Sequence, residues 1–445
     1  MRLGMAAAGV VVWLVAAVGR SVEAPPPEDV AVVSIPSPLH LDDAVSIFRA
    51  RGFDLLLADA ATESARGDLR SARAFPNPVA TASGGHSFTY DPQLCDHPGC
   101  SSTSVSAGLS DQGLLADFLI GKRRLKIDVA QQALAAATLT REDAERVLVA
   151  TVKQQYIQTV LARVLVGFAR ETARSLGETS RLVNDRLRAG DVSEADSARA
   201  ETAKLEAEQA VDAAGQQLAA AQAQLAFLLA VRNQVPTFEV DEQLPSPRIP
   251  PALAGATPAS LVALAEDHRP DLAAAAVQER GAEAAVTLAR RQRLPDVALT
   301  GNYLQEGRGQ DAIQPPTATF GVSLPLPILD RNQGGIAKSE AELRTRRLLR
   351  EKVEAQVTTD VRTAWAAFES ARARTERSQA QLLEKARRAR DLVVYQHQKG
   401  AVSLFERLDA ERTYVAATIE AFQALADYWT SLYLLDAAVG TELTP

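Results

Sequence analysis

The sequence predicts a mainly α-helical chain that also contributes strands to a membrane β-barrel. The chain is one duplicated unit of long helical hairpins plus two strands, so that three copies would form a 12-stranded barrel and an α-helical tunnel. Three observations predict this. First, the 445-residue chain repeats itself: Arg186-Leu-Arg-Ala-Gly190-Asp-Val-Ser193 and Tyr395-Gln-His-Gln-Lys-Gly400-Ala-Val-Ser403 each precede a long helix-favouring run, with their glycines 210 positions apart (400 − 190). Upstream, Phe53-Asp54-Leu55 aligns with Pro270-Asp271-Leu272, and Pro78 with Pro295, at an offset of 217 (295 − 78). Second, aromatics are only 5 % while Ala is abundant, which suits long, closely packed helices. Third, short stretches with a period of two precede each long helix.

Taken in order, residues 1–24 read as a signal peptide. Arg2 is its basic end, Ala6 to Val18 its apolar run, and Val22-Glu23-Ala24 its cleavage site. No Cys stands at that junction, so a lipid-anchored N-terminus has no support. Residues 25–40 are Pro-rich and extended. The first repeat spans 41–232. A helix is expected over about 41–74, until Phe75-Pro76-Asn77-Pro78 breaks it. Strands are expected at about 79–90 and 103–110, the second from the alternation of Val105, Ala107 and Leu109 with Ser104, Ser106 and Gly108.

Helix resumes near Gly121 and runs to the turn at Gly190. Val147, Val152, Tyr156, Val160, Leu161 and Val164 fall at helical spacing along it. Gly suits a left-handed C-cap, and Ser193 with Asp196 resembles a capping box with a short acid. A second helix returns to about Val231. Residues 233–258 are a Pro-rich linker. The second repeat, 259–440, has a helix over 259–293, strands at about 296–304 and 317–325, a helix from Gly335 to Lys399, the turn at Gly400 and a last helix ending near Gly440. Residues 441–445 are a short tail.

After the signal, no stretch has about 18 continuous apolar residues, so no transmembrane helix is expected. Four strands cannot close a barrel, and lipid does not tolerate open edges, so closure must come from further copies. The net charge of −7 and the lack of a basic stripe argue against nucleic acid. No Ser-His-Asp order, His-rich cluster or phosphate loop is present, so no enzyme, cofactor or metal site is expected.

The run Phe320-Gly-Val-Ser-Leu-Pro-Leu-Pro-Ile-Leu-Asp-Arg-Asn-Gln-Gly-Gly-Ile-Ala-Lys-Ser-Glu-Ala-Glu342 resembles a strand-to-helix junction of the outer-membrane factor (TolC) family, above all its heavy-metal-efflux (CzcC-like) branch. Leu294-Pro295-Asp296, the two Gly tips and the duplication match as well. The resemblance covers essentially the whole mature chain. It implies a homotrimer whose barrel sits in outer-membrane lipid and whose tunnel crosses the periplasm. Its partners would be a periplasmic adaptor (membrane fusion) protein and a proton-driven (RND-type) inner-membrane efflux pump, and its cargo heavy-metal cations. A duct for drugs or secreted protein, and a periplasmic helical adaptor or scaffold, are the alternatives.

The resemblance also assigns sites. The tips Gly190, Asp191, Val192, Ser193 and Gly400, Ala401, Val402, Ser403 would contact the adaptor. Glu406 and Asp409, with Asp196 at the matching place of the first repeat, would form a periplasmic gate. A spacing of three puts Glu406 and Asp409 on one helix face, and threefold symmetry would make each a ring of like charge. A charged, solvated helix start explains the same acids without a gate. Val402 stands where relatives carry a basic partner, leaving Arg407 and Arg412 as candidate latches. Cys95 and Cys100, the only cysteines, are a possible disulfide in an oxidising compartment; a metal site with Asp96 and His97 is the rival reading. His40, His86, His268 and His397 form no ligand pattern.

Overall fold

A computed structural model describes residues 35–86, 88, 102–111, 117, 120–231, 238–306 and 317–443. The expected signal peptide, most of the 25–40 segment and the loop carrying Cys95 and Cys100 lie outside the described residues. From Pro36 onwards the chain forms one compact unit. The first repeat contains α1 (Leu41–Arg51), α2 (Phe53–Arg73), β1 (Val79–His86), β2 (Thr103–Ser110), α3 (Lys122–Ala189) and α4 (Glu194–Leu228). The second contains α5 (Pro258–His268), α6 (Pro270–Arg291), β3 (Ala298–Glu306), β4 (Thr317–Ser323), α7 (Gln333–Arg377), a π-helical segment (Ser378–Leu383), α8 (Glu384–Gln398) and α9 (Leu404–Val439). The 68 residues of α3 give a rod of about 100 Å. None of the described helices is long and apolar enough to cross a membrane.

The opening helix of each repeat, expected from the sequence to be continuous, is broken at equivalent places. In the second repeat Pro270 pushes Arg269 into an extended conformation (φ −75°, ψ 120°). In the first, Gly52 takes the same role (φ −54°, ψ 126°), and a side chain there would collide with the Phe48 ring. The helix expected from Gly335 to Lys399 is likewise interrupted, by the π-helical turn at Ser378–Leu383. α4 stops at Leu228, three residues short of the expected Val231.

The four strands form one antiparallel sheet in the order β1-β2-β3-β4. Its register sorts side chains into two faces. Ala80, Leu109, Gly301 and Phe320 form one row, and Ala82, Ala107, Tyr303 and Ala318 another on the same apolar face. Thr81, Gly108, Asn302 and Thr319 lie on the opposite, polar face, where Leu304 is an exception.

Charged contacts brace the base of the sheet. Lys122, 3 % exposed, donates to the Asp296 carboxylate at 2.7 Å and to Leu294 O at 2.6 Å, tying the start of α3 to the entry of β3. Asn332, in a left-handed conformation (φ 59°), stands at the N-cap position of α7, and its side chain donates to Ala289 O at 2.8 Å instead of bonding the helix end. A Cβ on Gly335 would collide with its side chain. The Asp-Arg-Asn-Gln-Gly-Gly run therefore acts locally, turning the chain from strand into helix.

The helices pack as two long hairpins, α3 with α4 and α7–α8 with α9, and α3 also meets α9. Val152, Tyr156 and Val160 on α3 are fully or almost fully buried, whereas Val147 is 45 % exposed. The buried stripe of α4 is Ala200, Ala203, Ala207 and Ala214, small residues that let its axis approach α3. In the second repeat, Val357, Val361 and Phe368 pack with Tyr428, Leu432 and Leu435. The Pro-rich linker lies on this core, with Tyr428 donating to Arg248 O at 2.7 Å and Trp429 to Pro245 O at 2.9 Å.

Candidate functional site

Both hairpins reverse through the same local chemistry. Gly190 (φ 82°) and Gly400 (φ 74°) occupy the left-handed region, which a side chain would strain. The carbonyls left open at the helix ends are then satisfied across the turn: Asp191 N donates to Arg186 O and Ala401 N to Gln396 O, each at 2.9 Å. Gly190, Asp191 and Ser193 are exposed at the first tip, as are Gly400, Ala401 and Ser403 at the second. Val192 and Val402 are half-buried, and Val192 packs on a small core of Val183, Ala200, Ala203, Leu404 and Leu408. That core draws from both hairpins, so the two tips are held side by side.

The returning helices begin with unequal caps. Ser403 accepts from Glu406 N, and the Glu406 carboxylate reaches back to Ser403 N at 2.7 Å and to its hydroxyl at 3.0 Å. This is a complete capping box. At the first tip, Ser193 accepts from Asp196 N at 3.1 Å, but the Asp196 carboxylate reaches only the Ser193 hydroxyl, at 2.8 Å. Asp is one methylene too short to return to the backbone N–H. Arg199 pairs with Asp196 at 3.3 Å.

The candidate gate acids are therefore differently engaged. Glu406 is exposed and occupied as a cap. Asp409 is exposed, and no described residue bonds its carboxylate. Asp196 is half-buried and shared between Ser193 and Arg199. The capping box expected at Ser193 and Asp196 is thus formed only in part, whereas Ser403 and Glu406, for which the sequence suggested only a charged helix start, complete one.

The two arginines considered as latches both bridge the hairpins. Arg407 on α9 donates to the Thr179 hydroxyl of α3 at 2.7 Å. Arg412 on α9 pairs with Glu206 of α4 at 3.1 Å. Burial lowers the pKa of Arg407, although Glu411 opposes that effect. Above this level, Phe168 of α3 makes edge contacts with Tyr414 and Phe422 of α9, and the Arg390 guanidinium of α8 lies 3.9 Å from the Tyr414 ring centre. Glu411 sits among these groups. Burial raises its pKa, against the pull of Arg390 and Arg407.

Two ion pairs built on buried cations are not foreseen from the sequence. One is Lys122 with Asp296. The other is Arg269, 5 % exposed, which pairs with Asp271 at 2.7 Å and Asp360 at 3.0 Å and donates to Ala438 O at 3.2 Å. Their one sequence signal is position: Asp296 belongs to the Leu-Pro-Asp motif, and Arg269 precedes the Pro-Asp-Leu shared by the repeats. Among the described residues, no group of three His, Cys, Asp or Glu is placed to hold a metal.

Comparison with known proteins fits this geometry. The family model described as "Outer membrane efflux protein" matches residues 44–231 and 261–441. A cobalt-zinc-cadmium resistance protein, CzcC, from Cupriavidus metallidurans is 24% identical over 91% of this chain and 90% of its own length. The pyoverdine export outer membrane protein OpmQ of Pseudomonas aeruginosa is 30% identical over 72% of this chain and 66% of its own. The solved Campylobacter jejuni CmeC outer membrane channel shares the fold at a TM-score of 0.77, with 19% identity, across 90% of this chain and 86% of that one.

Proposed function

Because this chain belongs to the outer membrane efflux protein family, we propose that it is the outer-membrane duct of a three-part efflux system that exports heavy-metal cations. Membership makes it an efflux channel of the outer membrane and not an enzyme. The finer reading adds a homotrimer, a periplasmic adaptor and a proton-driven inner-membrane pump. In such an assembly the chain supplies a path and the pump supplies energy and selects the cargo.

The observation that carries the metal reading is end-to-end similarity to CzcC, a protein named for cobalt, zinc and cadmium resistance. The higher identity to a pyoverdine exporter covers less of both chains. It supports a second reading, export of an organic small molecule. A deletion strain separates the two. Lost tolerance to cobalt, zinc or cadmium, restored by this chain, supports metal export. Unchanged tolerance to these and to nickel, copper and silver removes it.

Within the duct, we assign the adaptor contact to the tips Gly190–Ser193 and Gly400–Ser403. The periplasmic gate is assigned to Glu406, Asp409 and Asp196. What supports the gate is position: these acids lie within one to three helical turns of the tips, where three copies would bring them together. Rings of carboxylates attract cations and repel one another, so a closed state needs other bonds to hold it. The Arg407–Thr179 and Arg412–Glu206 bridges are suited to that role.

A further inference from the structure

Four segments, 70–78, 111–126, 290–298 and 324–332, join the helices to the sheet. They meet at one end of it. The register sets Val79 at the start of β1 opposite Ser110 at the end of β2, and Ala298 at the start of β3 opposite Ser323 at the end of β4. Ser110 in turn faces Thr300, which brings both pairs to nearly the same level.

These segments contain ten Arg and Lys but only four Asp and no Glu. The rest of the chain has 38 Arg and Lys (48 − 10) against 51 Asp and Glu (55 − 4). An acidic chain thus carries one basic band, assembled from places too far apart in sequence to read as a stripe. The four acids are already engaged. Asp111 accepts from Leu299 N at 2.7 Å and Asp330 from Asn332 N at 2.8 Å, while Asp296 pairs with Lys122 and Asp117 with Lys126. Arg290 pairs with Glu340, and the Arg123 guanidinium lies 4.1 Å from the centre of the Phe75 ring. Arg70, Arg73, Arg124, Arg291, Arg293 and Arg331 remain. All six are exposed, and no described carboxylate pairs with them.

The band borders bare apolar side chains. Phe75, Leu294, Leu326 and Leu329 are exposed, Leu329 by 91%. They lie just beyond the sheet, whose apolar face carries Phe320 and Val322. Apolar surface that ends in a row of cations is the pattern of a boundary between lipid and water. In an outer-membrane channel whose helices stand in the periplasm, this end of the sheet meets the inner-leaflet headgroups. The uncommitted cations are all Arg. A guanidinium can give a phosphate two parallel hydrogen bonds while its aliphatic stem covers apolar neighbours.

We propose that this arginine band binds the phosphates of anionic phospholipids in the inner leaflet of the outer membrane. It is a second hold on the membrane besides the apolar face of the sheet. The inference rests on the outer-membrane placement of the chain and asks nothing of its cargo or its gate.

The test is equilibrium binding of fluorescent phosphatidylglycerol to the full chain in neutral detergent, with fluorescent phosphatidylcholine as reference. The wild-type chain is expected to prefer phosphatidylglycerol, and high salt to reduce that preference. R124Q/R291Q/R293Q/R331Q is expected to weaken phosphatidylglycerol binding about tenfold or more, since each arginine near an anionic surface contributes several-fold. R170Q/R174Q/R181Q/R388Q removes the same charge from exposed sites on the hairpins and is expected to bind as wild type does. Equal binding of the two lipids by the wild-type chain overturns the proposal. So does equal weakening in both variants, which would make net charge the cause. Displacement of the lipid by an equal concentration of inorganic phosphate would show a free-anion site and no lipid surface. Tighter binding of an oligoglutamate peptide than of phosphatidylglycerol would give the band to a protein partner instead. Should the fourfold variant fail to fold, R293Q/R331Q is read by the same criteria, and the wild-type comparisons stand without it.

Discussion

The Arg407 guanidinium reaches across the hairpins to the Thr179 hydroxyl at 2.7 Å, while that hydroxyl donates to Ser175 O at 2.9 Å. No described carboxylate pairs with Arg407. Its main fixed partner is thus one neutral side chain on the other hairpin. A hydrogen bond to a charged group contributes about 1.5–3 kcal/mol. Arg407→Ala should therefore let the second hairpin part from the first and raise single-channel conductance in planar bilayers. Thr179→Val should act in the same direction and Arg407→Lys less strongly. Wild-type conductance in all three would remove the latch.

Glu406 and Asp409 should separate by their caps. Glu406→Ala loses the capping box as well as a charge, costing about 1 kcal/mol of local helix stability. Asp409→Ala removes charge alone. Both should weaken cation selectivity, read as a shift in reversal potential under a salt gradient. Only Glu406→Ala should also speed proteolysis near the Gly400 tip. If Asp409→Ala left selectivity untouched, the ring of charge would be the wrong account.

How much of this was legible depends on how local each cause is. Gly190 and Gly400, the prolines at 76, 78 and 295, and the alternation through Val105 and Leu109 act within a few residues, and the structure follows them. The break at Arg269 was written in Pro270 yet outweighed by the helical pattern on both sides. Its twin at Gly52 depends on where the Phe48 ring lies. The π-helical turn at Ser378–Leu383 contains neither Pro nor Gly and arises in packing. In a chain that is 23% charged, nothing marks Lys122 or Arg269 as buried. Whether Asp196, Glu406 and Asp409 converge is a property of several copies, which one sequence does not state.

Glu411 gives a pH dependence with a defined sign. Burial raises its pKa above the ordinary 4.5 of a Glu side chain, outweighing Arg390 and Arg407. The folded state therefore binds this proton more tightly than the unfolded state. The cost is absent below the unfolded pKa and grows as pH rises through the folded one. Glu411→Gln should raise thermal stability at pH 7, and the gain should vanish towards pH 4. A gain that grows on acidification would contradict this origin.

Arg269 predicts the opposite trend. Burial alone would raise the pKa of Asp271, but the Arg269 guanidinium outweighs it and holds the carboxyl below the ordinary 3.8. The stabilisation is present above the unfolded pKa and is lost as pH falls through the folded one. Removing one partner of such a buried pair costs about 3–5 kcal/mol. Arg269→Ala should lower the melting temperature at neutral pH by several degrees, and Asp271→Asn by less. The Asp271→Asn difference should shrink in strong acid. A deficit constant with pH would mean lost packing alone.

The two open edges of the sheet bear on genetics as much as on architecture. Among the described residues each outer strand of the sheet keeps one open edge, and such a sheet has no stable place in lipid by itself. Insertion and assembly are then one event, steeply dependent on how many copies are present. A copy with a ruined β1 or β4 edge would still offer its intact edge to a neighbour. It would draw sound copies into rings that cannot close. Edge mutations should accordingly be dominant when co-expressed with the wild-type chain, whereas mutations at the exposed tips should be recessive.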